Sequence, residues 1–293
     1  MFVEENKNGL IYMRSTLLPA RHAFTTRFGG VSTGEWATLN LGSNRGDDPA
    51  AVRENYRRVT ALFGADIDGC CVTKQVHGTE VRVVTEADRH VCMSAVPYEA
   101  DGLVTAVPGL PIFCFTADCV PVLLCDAAHG VVGAIHCGWR SSVADILKNA
   151  LTQMESLGAR AGVAAAVHCG WRNSVGDILG EALGKMRALG AAPERICAAI
   201  GPAIGSCCFE THRDVPDAIE AWLGDTEGLI EDRPGGKYLV DLRGANARRL
   251  RQLGVPAAQI DVSEECTFCR HDKYWSHRWT HGRRGSQAAG IVL

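Results

Sequence analysis

The sequence lacks several features that define large classes of protein. Its 293 residues carry 30 basic and 33 acidic side chains, and a net charge of −3 excludes the broad positive surface of a general nucleic-acid-binding protein. No apolar run approaches the roughly 20 residues that cross a bilayer. The N-terminal segment MFVEENKNGL lacks the basic patch and apolar stretch of a signal peptide. We therefore expect a cytoplasmic protein with no membrane or nucleic-acid partner.

Signatures of common catalytic folds are also missing. There is no Walker loop or GxGxxG fingerprint, which argues against P-loop and dinucleotide-binding proteins. The 10 histidines include no HxH pair, so the clustered imidazoles of multicopper chemistry are not evident. One CxxC pair, Cys266 and Cys269, stands without the second pair of a zinc ribbon, and we interpret it as structural.

Cysteine, by contrast, is abundant. There are 13 cysteines, and two pairs are adjacent in sequence, Cys70-Cys71 and Cys207-Cys208. A chain of this length does not need disulfides to replace a small core. Most of the thiols lie in apolar runs, where cysteine behaves as a small hydrophobic residue. We expect most of them to be reduced and structural, with a few available as metal ligands.

The strongest internal feature is a repeated segment. HCGWRSSVADIL begins at His136 and HCGWRNSVGDIL begins at His168, an offset of 32 residues, and the similarity extends over 130–161 and 162–193. Each copy is typical of a short strand, a Cys-Gly turn and a helix. Because two copies are too few for a solenoid, we interpret the repeat as a tandem duplication inside one domain that spans residues 1–293.

Strand and helix patterns alternate through the rest of the chain, and no domain boundary is visible. The predicted strands lie at residues 23–27, 81–84, 111–115, 120–125, 131–136, 196–200 and 287–292. The predicted helices outside the repeat lie at residues 49–62, 213–223 and 242–253. The pattern predicts a single α+β domain.

Three residues at the ends of apolar runs could form a transition-metal site: His77 in KQVHGTEV, Cys119 in TADCVPV and His136 in AIHCGWR. Imidazole and thiolate are zinc ligands, and three protein ligands leave the open position that a catalytic zinc needs. Side chains at strand ends can converge from a rigid scaffold. The alternative is that the two histidines belong to turns and strand ends and that Cys119 fills the core.

Ten motifs together resemble one known family. In chain order they are TTRFGGVSTGEWATLNLG, GDDPAAVRENYRRV, KQVHGTEV, ADGLVT, TADCVPVLLCD, AIHCGWR, AAIGPAIGSCCFE, KYLVDLRGAN, CTFC and YWSHRW with GRRGSQAAGI. This order resembles the YfiH family, also called the laccase-domain or "polyphenol oxidase" family, of the purine nucleoside phosphorylase type. The resemblance implies a mixed α/β sandwich of the YfiH type. It also implies a single zinc ion held by His77, Cys119 and the histidine of an HxGWR motif.

The resemblance further implies an activity. Zinc-dependent phosphorolysis of adenosine, inosine, guanosine and methylthioadenosine is expected, together with deamination of adenosine. Nucleosides and phosphate would then be the partners, and no obligate protein partner is expected. Copper-dependent polyphenol oxidation and editing of peptidoglycan precursors are the alternatives, with copper as the alternative metal.

The sequence departs from the family pattern in two ways. The HxGWR motif occurs twice, so either His136 or His168 could be the third ligand. We favour His136, because a short hairpin connects it to the Cys119 segment and fixes the strand register. Both copies read HCGWR, and we interpret Cys137 and Cys169 as packing residues.

Further roles follow from residue type and motif position. Asp118 and Cys119 are the candidate catalytic residues, with Asp118 as a general acid/base or as a partner of a zinc-bound histidine. The candidates for contact with phosphate or ribose are Arg27, Arg140 and Arg278. Asn40 and Gln75 are candidates for orienting the nucleoside. The segment RHDKYWSHRWTHGRR mixes basic and aromatic residues, as in sites that stack a base and bind phosphate.

Overall fold

The computed structural model describes residues 1–76, 81–90, 92–96, 98–126, 131–135, 197–252 and 254–293. The predicted repeat lies outside the described residues except for 131–135. The ligand candidates His77, His136 and His168 and the phosphate candidate Arg140 also lie outside them. The duplication and the single-domain organisation therefore stay predictions.

The first of three sheets in the described part of the chain is antiparallel throughout. Its strands, in spatial order, are β1 (Phe2–Lys7), β2 (Leu10–Ser15), β3 (Arg21–Thr25), β14 (Gln287–Val292) and β6 (Ile112–Thr116). Strand β14 is buried along its whole length because it is paired on both edges. Gly290 within it lies against the ring of Phe113, where a Cβ would come within 2.4 Å of a ring carbon.

The second sheet is mixed. Its strands, in spatial order, are β13 (Ile260–Val262), β9 (Cys197–Ile200), β7 (Val122–Asp126), β8 (Val131–Ile135), β5 (Gly102–Thr105) and β4 (Val81–Val83). The outer pairs β13–β9 and β4–β5 are parallel, and the inner pairs are antiparallel. Apolar residues of the two sheets share one core, which includes Phe24, Ile112, Leu103, Leu123 and Val132.

A small third sheet and three helices complete the described structure. The sheet has the order β10 (Glu210–Thr211), β12 (Lys237–Val240) and β11 (Ile230–Arg233). The helices are α1 (Pro49–Leu62), α2 (Asp214–Leu223) and α3 (Leu242–Gln252). Helix α1 begins at Pro49 because proline is favoured at the first position of a helix. The Asp48 carboxylate caps this end by accepting a 2.9 Å hydrogen bond from the backbone N–H of Ala50.

The sequence predicted most of these elements and the mixed α/β class. All seven predicted strands and all three predicted helices outside the repeat are confirmed to within two residues at their ends. The N-terminal hairpin β1–β2 and the hairpin β11–β12 were not predicted. Cys70 and Cys92 are joined as a disulfide, whereas Cys71 and Cys114 are buried thiols, as expected of structural cysteines. No helix in the described ranges is long and apolar enough to cross a membrane.

Candidate active site

A cavity of ≈ 560 Å³ lies beside Cys119, in the turn that joins β6 to β7. Its wall consists of residues 41–45, 72–75, 92–96 and 115–117 with Tyr56, Cys119, Arg284 and Ser286. Burial raises the pKa of the Cys119 thiol to about 12, and the nearby positive charge of Arg284 acts in the opposite direction. A thiol with such a pKa stays protonated at neutral pH unless a cation or metal ion displaces its proton.

Asp118 holds the Cys119 turn in place. Its backbone has a φ of 78°, in the left-handed region that aspartate tolerates better than most residues. One carboxylate oxygen accepts a 2.6 Å hydrogen bond from the Thr267 hydroxyl, and the other accepts a 2.6 Å bond from the backbone N–H of Arg278. The side chain does not line the cavity. This geometry favours a positioning role over the proton transfer expected from the sequence.

Arg27 and Arg278, two of the predicted phosphate contacts, form hydrogen bonds with backbone carbonyl groups outside the cavity. The Arg27 guanidinium donates to the carbonyl oxygens of Ala37 and His271 at 2.7–3.0 Å, and it lies 4.0 Å from the centroid of the Trp275 ring. The Arg278 side chain donates to the carbonyl oxygen of Glu210 at 3.2 Å. Neither side chain lines the cavity, so in this structure both join loops rather than contact its interior.

Asn40 is also a structural junction. It is fully buried, and its Oδ1 atom accepts hydrogen bonds from the backbone N–H groups of Gly42 (2.7 Å) and Ser286 (3.1 Å). Its Nδ2 atom donates to Asp47 at 2.9 Å. These hydrogen bonds fix two loops of the cavity wall, and the contact with a nucleoside stays a prediction.

Gln75 does line the cavity, as a substrate-orienting residue should. Its Oε1 atom accepts a 2.7 Å hydrogen bond from the N–H of Phe115, and its Nε2 atom donates to the carbonyl of the same residue at 2.9 Å. The side-chain amide thus extends the hydrogen bonding of β6 and holds the segment before residue 77 against the cavity.

The sequence pattern did not single out the two arginines that do line the cavity, Arg45 and Arg284. Burial lowers the pKa of Arg284 to about 10, and the charge of Arg45 lowers it as well. The Arg284 side chain donates to Ser286 Oγ at 2.9 Å, but its buried Nε has no hydrogen-bond partner among the described residues. Two guanidinium groups without a carboxylate partner in the described structure form a site suited to an anion. The GRRGS motif was the available signal.

A second group of side chains, outside the cavity, could hold a metal ion. The sulfur atoms of Cys207, Cys208, Cys266 and Cys269 all lie within 4.8 Å of one another, and we call these residues the four-thiol cluster. No sequence pattern connects the Cys207-Cys208 pair with the CxxC pair. The tertiary structure brings the two pairs together across about 60 residues of chain.

Comparison with known proteins shows which proteins this chain resembles. The family model described as "Multi-copper polyphenol oxidoreductase laccase" matches residues 21–163 and 157–293. A purine nucleoside phosphorylase of Deinococcus radiodurans is 37% identical over 285 residues, covering 97% of this chain and 94% of that protein. A protein named adenosine deaminase RL5, from an unknown prokaryotic organism, is 31% identical over 274 residues, covering 92% of each.

The fold has a solved counterpart. The crystal structure of the Bacillus licheniformis hypothetical protein YfiH superposes with a TM-score of 0.81 at 26% identity, covering 100% of this chain and 98% of that one. The described sheets therefore form a YfiH-like mixed α/β fold. With the family match over nearly the whole length, this shows that the chain belongs to the laccase-domain (YfiH) family.

Proposed function

We propose that the protein is a zinc-dependent purine nucleoside phosphorylase that acts on adenosine, inosine, guanosine and methylthioadenosine and that also deaminates adenosine. The observation that carries the proposal is that one cavity contains both Cys119 and Arg284, whose buried Nε has no hydrogen-bond partner among the described residues. Relatives named purine nucleoside phosphorylase and adenosine deaminase, each matched over most of its length, support it.

The proposed zinc ligands are His77, Cys119 and His136. Of these, Cys119 is described, and its thiol faces the cavity. Described residues close in sequence to His77 and His136 support the proposal that both histidines lie near Cys119. Gln75, two residues before His77, lines the same cavity. A zinc ion bound there would supply Lewis acidity for both reactions.

The register of the second sheet bears on the third ligand. Ile135, the last residue before His136, pairs with Val122, which follows Cys119 by three residues. Strand β8 therefore ends, at Ile135, beside the strand that begins three residues after Cys119. This supports His136 as the third ligand, with His168 as the alternative.

Phosphate is the anion that the arginines would bind. Lys74 also lines the cavity, but it is paired with Glu99 at 2.8 Å, which leaves Arg45 and Arg284 to neutralise a ligand. A pKa of about 10 keeps Arg284 protonated at neutral pH. Because its Nε is already out of water, a phosphate oxygen there would gain a charge-assisted hydrogen bond at little further desolvation cost. We propose Arg140, which lies outside the described residues, as a further phosphate contact.

The chemistry requires these groups to act together. In phosphorolysis a phosphate oxygen attacks C1′ of the ribose while the purine leaves, so phosphate must be held in line with the glycosidic bond. Two guanidinium groups can hold it in that orientation and offset the charge of the transition state. The cavity volume of ≈ 560 Å³ lies in the range of small-molecule sites.

Metal analysis and turnover of two substrates test the proposal. Protein purified without chelators should contain zinc. It should convert inosine and phosphate to hypoxanthine and ribose 1-phosphate, and it should release inosine from adenosine. Cys119→Ser should abolish both activities, whereas Cys114→Ser, which changes a buried thiol outside the cavity, should keep both.

Two results would overturn the proposal. One equivalent of copper with phenol oxidation and no nucleoside turnover would support the polyphenol oxidase alternative. Hydrolysis of a peptidoglycan precursor without nucleoside turnover would support the editing alternative.

A further inference from the structure

We propose that the four-thiol cluster is a structural zinc site, separate from the cavity at Cys119. All four residues are cysteines, and their sulfur atoms lie close enough to one another to bind a single metal ion. Cys266 is buried, Cys208 is half-buried, and Cys207 and Cys269 are exposed, so zinc can reach the site from solvent.

The sulfur separations match tetrahedral coordination. With zinc–sulfur bonds of about 2.3 Å, neighbouring sulfur atoms of a tetrahedral site lie about 3.8 Å apart. In this structure Cys269 Sγ lies 3.5 Å from Cys207 Sγ and 3.4 Å from Cys208 Sγ, and all pairs fall within 4.8 Å. Both separations from Cys269 are slightly shorter than the expected value, and the 4.8 Å limit on all pairs accommodates it. They also exceed the roughly 2.05 Å of an S–S bond.

A backbone N–H group donates to one of the sulfur atoms. The N–H of Gly205 lies 3.1 Å from Cys266 Sγ. Four thiolates around Zn²⁺ carry a net charge of −2, and an N–H donor to sulfur stabilises that charge. This contact is compatible with a thiolate bound to a metal.

Gly205 allows the loop that carries Cys207 and Cys208 to pack closely against Cys266. A Cβ at this position would lie 3.1 Å from the Cβ of Cys266 and 3.3 Å from Cys207 Sγ. Contacts between 3.0 and 3.4 Å are tighter than side chains normally make, so a larger residue would force the two cysteine-bearing loops apart. The lack of a side chain at position 205 therefore matters for bringing the four ligands together.

The position in the fold indicates a structural role. Cys207 and Cys208 follow β9, the CxxC pair follows β13, and these two strands are parallel neighbours at the edge of the second sheet. Ala203 and Cys266 already form a bridge between the two loops. Four protein ligands leave no open position for substrate. Zinc would thus fasten these two loops to each other.

The binding step needs no oxidant or reductant. Each thiol gives its proton to solvent as its sulfur binds Zn²⁺, so up to four protons are released for each ion bound. The competing reaction is oxidation of two thiols to a disulfide, for instance between Cys208 and Cys269. That reaction would remove ligands and leave no metal.

Zinc stoichiometry tests the site. The full chain, prepared under reducing conditions without chelators, would be compared with Cys207→Ser/Cys269→Ser, Cys119→Ser and the control Cys114→Ala by elemental analysis and native mass spectrometry. The double variant should lose one zinc per chain relative to the wild type, and the control should lose none. Cys119→Ser should still hold the cluster zinc, so failure of the proposed function and failure of this site give different results.

A second measurement applies if the double variant does not fold. In Cys119→Ser, stepwise titration of thiols with an organomercurial should release one zinc after four thiols have reacted. Cobalt substituted for that zinc should show intense thiolate-to-metal charge-transfer bands. Unchanged zinc content in the double variant would overturn the proposal. So would a disulfide within the cluster in protein kept under reducing conditions, detected as a loss of two hydrogen masses.

Discussion

The carboxylate of Asp118 and the hydroxyl of Thr267 are joined by a 2.6 Å hydrogen bond across 149 residues of sequence. Asp118 directly precedes Cys119 on the cavity wall, and Thr267 directly follows Cys266 in the four-thiol cluster. One buried carboxylate therefore connects the loops of the two candidate metal sites. A shift of either loop must break this bond or move the other loop.

The first prediction concerns this connection. Asp118→Ala leaves the Thr267 hydroxyl and the backbone N–H of Arg278 without their acceptor, and we expect a loss of about 2–4 kcal/mol in the free energy of unfolding. Thr267→Ser keeps the hydroxyl and should cost under about 1 kcal/mol. Urea unfolding measures both. Wild-type stability in Asp118→Ala would show that the carboxylate does not hold the loops.

The second prediction tests the anion site. Arg284→Met should raise the KM for phosphate roughly 100-fold, a loss of about 2.7 kcal/mol, because a desolvated charge-assisted contact is removed. Arg283→Met is the matched control, since that side chain is 79% exposed and is paired with Glu35 at the surface. It should change the KM less than about threefold. Steady-state kinetics with phosphate varied would measure both, and an unchanged KM in Arg284→Met would contradict the assignment.

Local signals explain which elements the sequence could predict. The start of helix α1 could be predicted because Asp48 and Pro49 form a helix start that depends only on neighbouring residues. Strand β1 was missed because its polar run Glu4-Glu5-Asn6-Lys7 suggests a solvated loop. Its signal was the turn Asn8-Gly9, where both φ angles are positive, as a tight hairpin requires.

The site was harder to predict because its members come from distant loops. Cys119 could be found from its motif. The burial of Arg284 beside Arg45 depends on how two loops, held by Asn40, meet in the fold. The contacts of Arg27 could not be predicted either, because its guanidinium donates to the carbonyl oxygens of Ala37 and His271, which only the tertiary structure brings close to it.

The third prediction concerns a buried ion pair beside the four-thiol cluster. Lys273 is only 5% exposed, and its ammonium group contacts both carboxylate oxygens of Glu265 at 2.8 and 2.9 Å. Glu265→Ala would leave a buried charge poorly compensated, and we expect a loss of about 3–5 kcal/mol in the free energy of unfolding.

Glu4 is the matched control for this pair. It contacts the same ammonium group at 2.8 Å, but its side chain is 54% exposed. Glu4→Ala should therefore cost under about 1 kcal/mol. Denaturant unfolding at neutral pH compares the two variants. Equal losses would show that the surface partner, rather than burial, sets the stability of Lys273.

The fourth prediction concerns pH. Burial lowers the pKa of His22 below its ordinary value of 6.5, while its Nε2 atom accepts a 3.0 Å hydrogen bond from the N–H of Ser15. Below pH 6.5 the unfolded chain takes up a proton that the folded chain does not. The free energy of unfolding should therefore fall as the pH drops from 6.5 towards the folded pKa.

His22→Gln separates this effect from other titrations. Glutamine does not titrate, so the slope of the unfolding free energy against pH should be smaller in the variant below pH 6.5. His277, whose pKa burial also lowers, contributes a slope of the same sign and should account for part of the remainder. An identical slope in wild type and His22→Gln, measured by urea unfolding across this range, would contradict the assignment.

The last prediction distinguishes the two copies of the repeat. His136→Ala should lose the zinc of the cavity together with both activities, because β8 ends at Ile135, which pairs with Val122, three residues after Cys119. His168→Ala should retain most of both. Zinc content per chain, compared with Cys119→Ser, measures the metal independently of turnover. Loss of this zinc in His168→Ala alone would show that the second copy supplies the ligand and that the first has been displaced from the site.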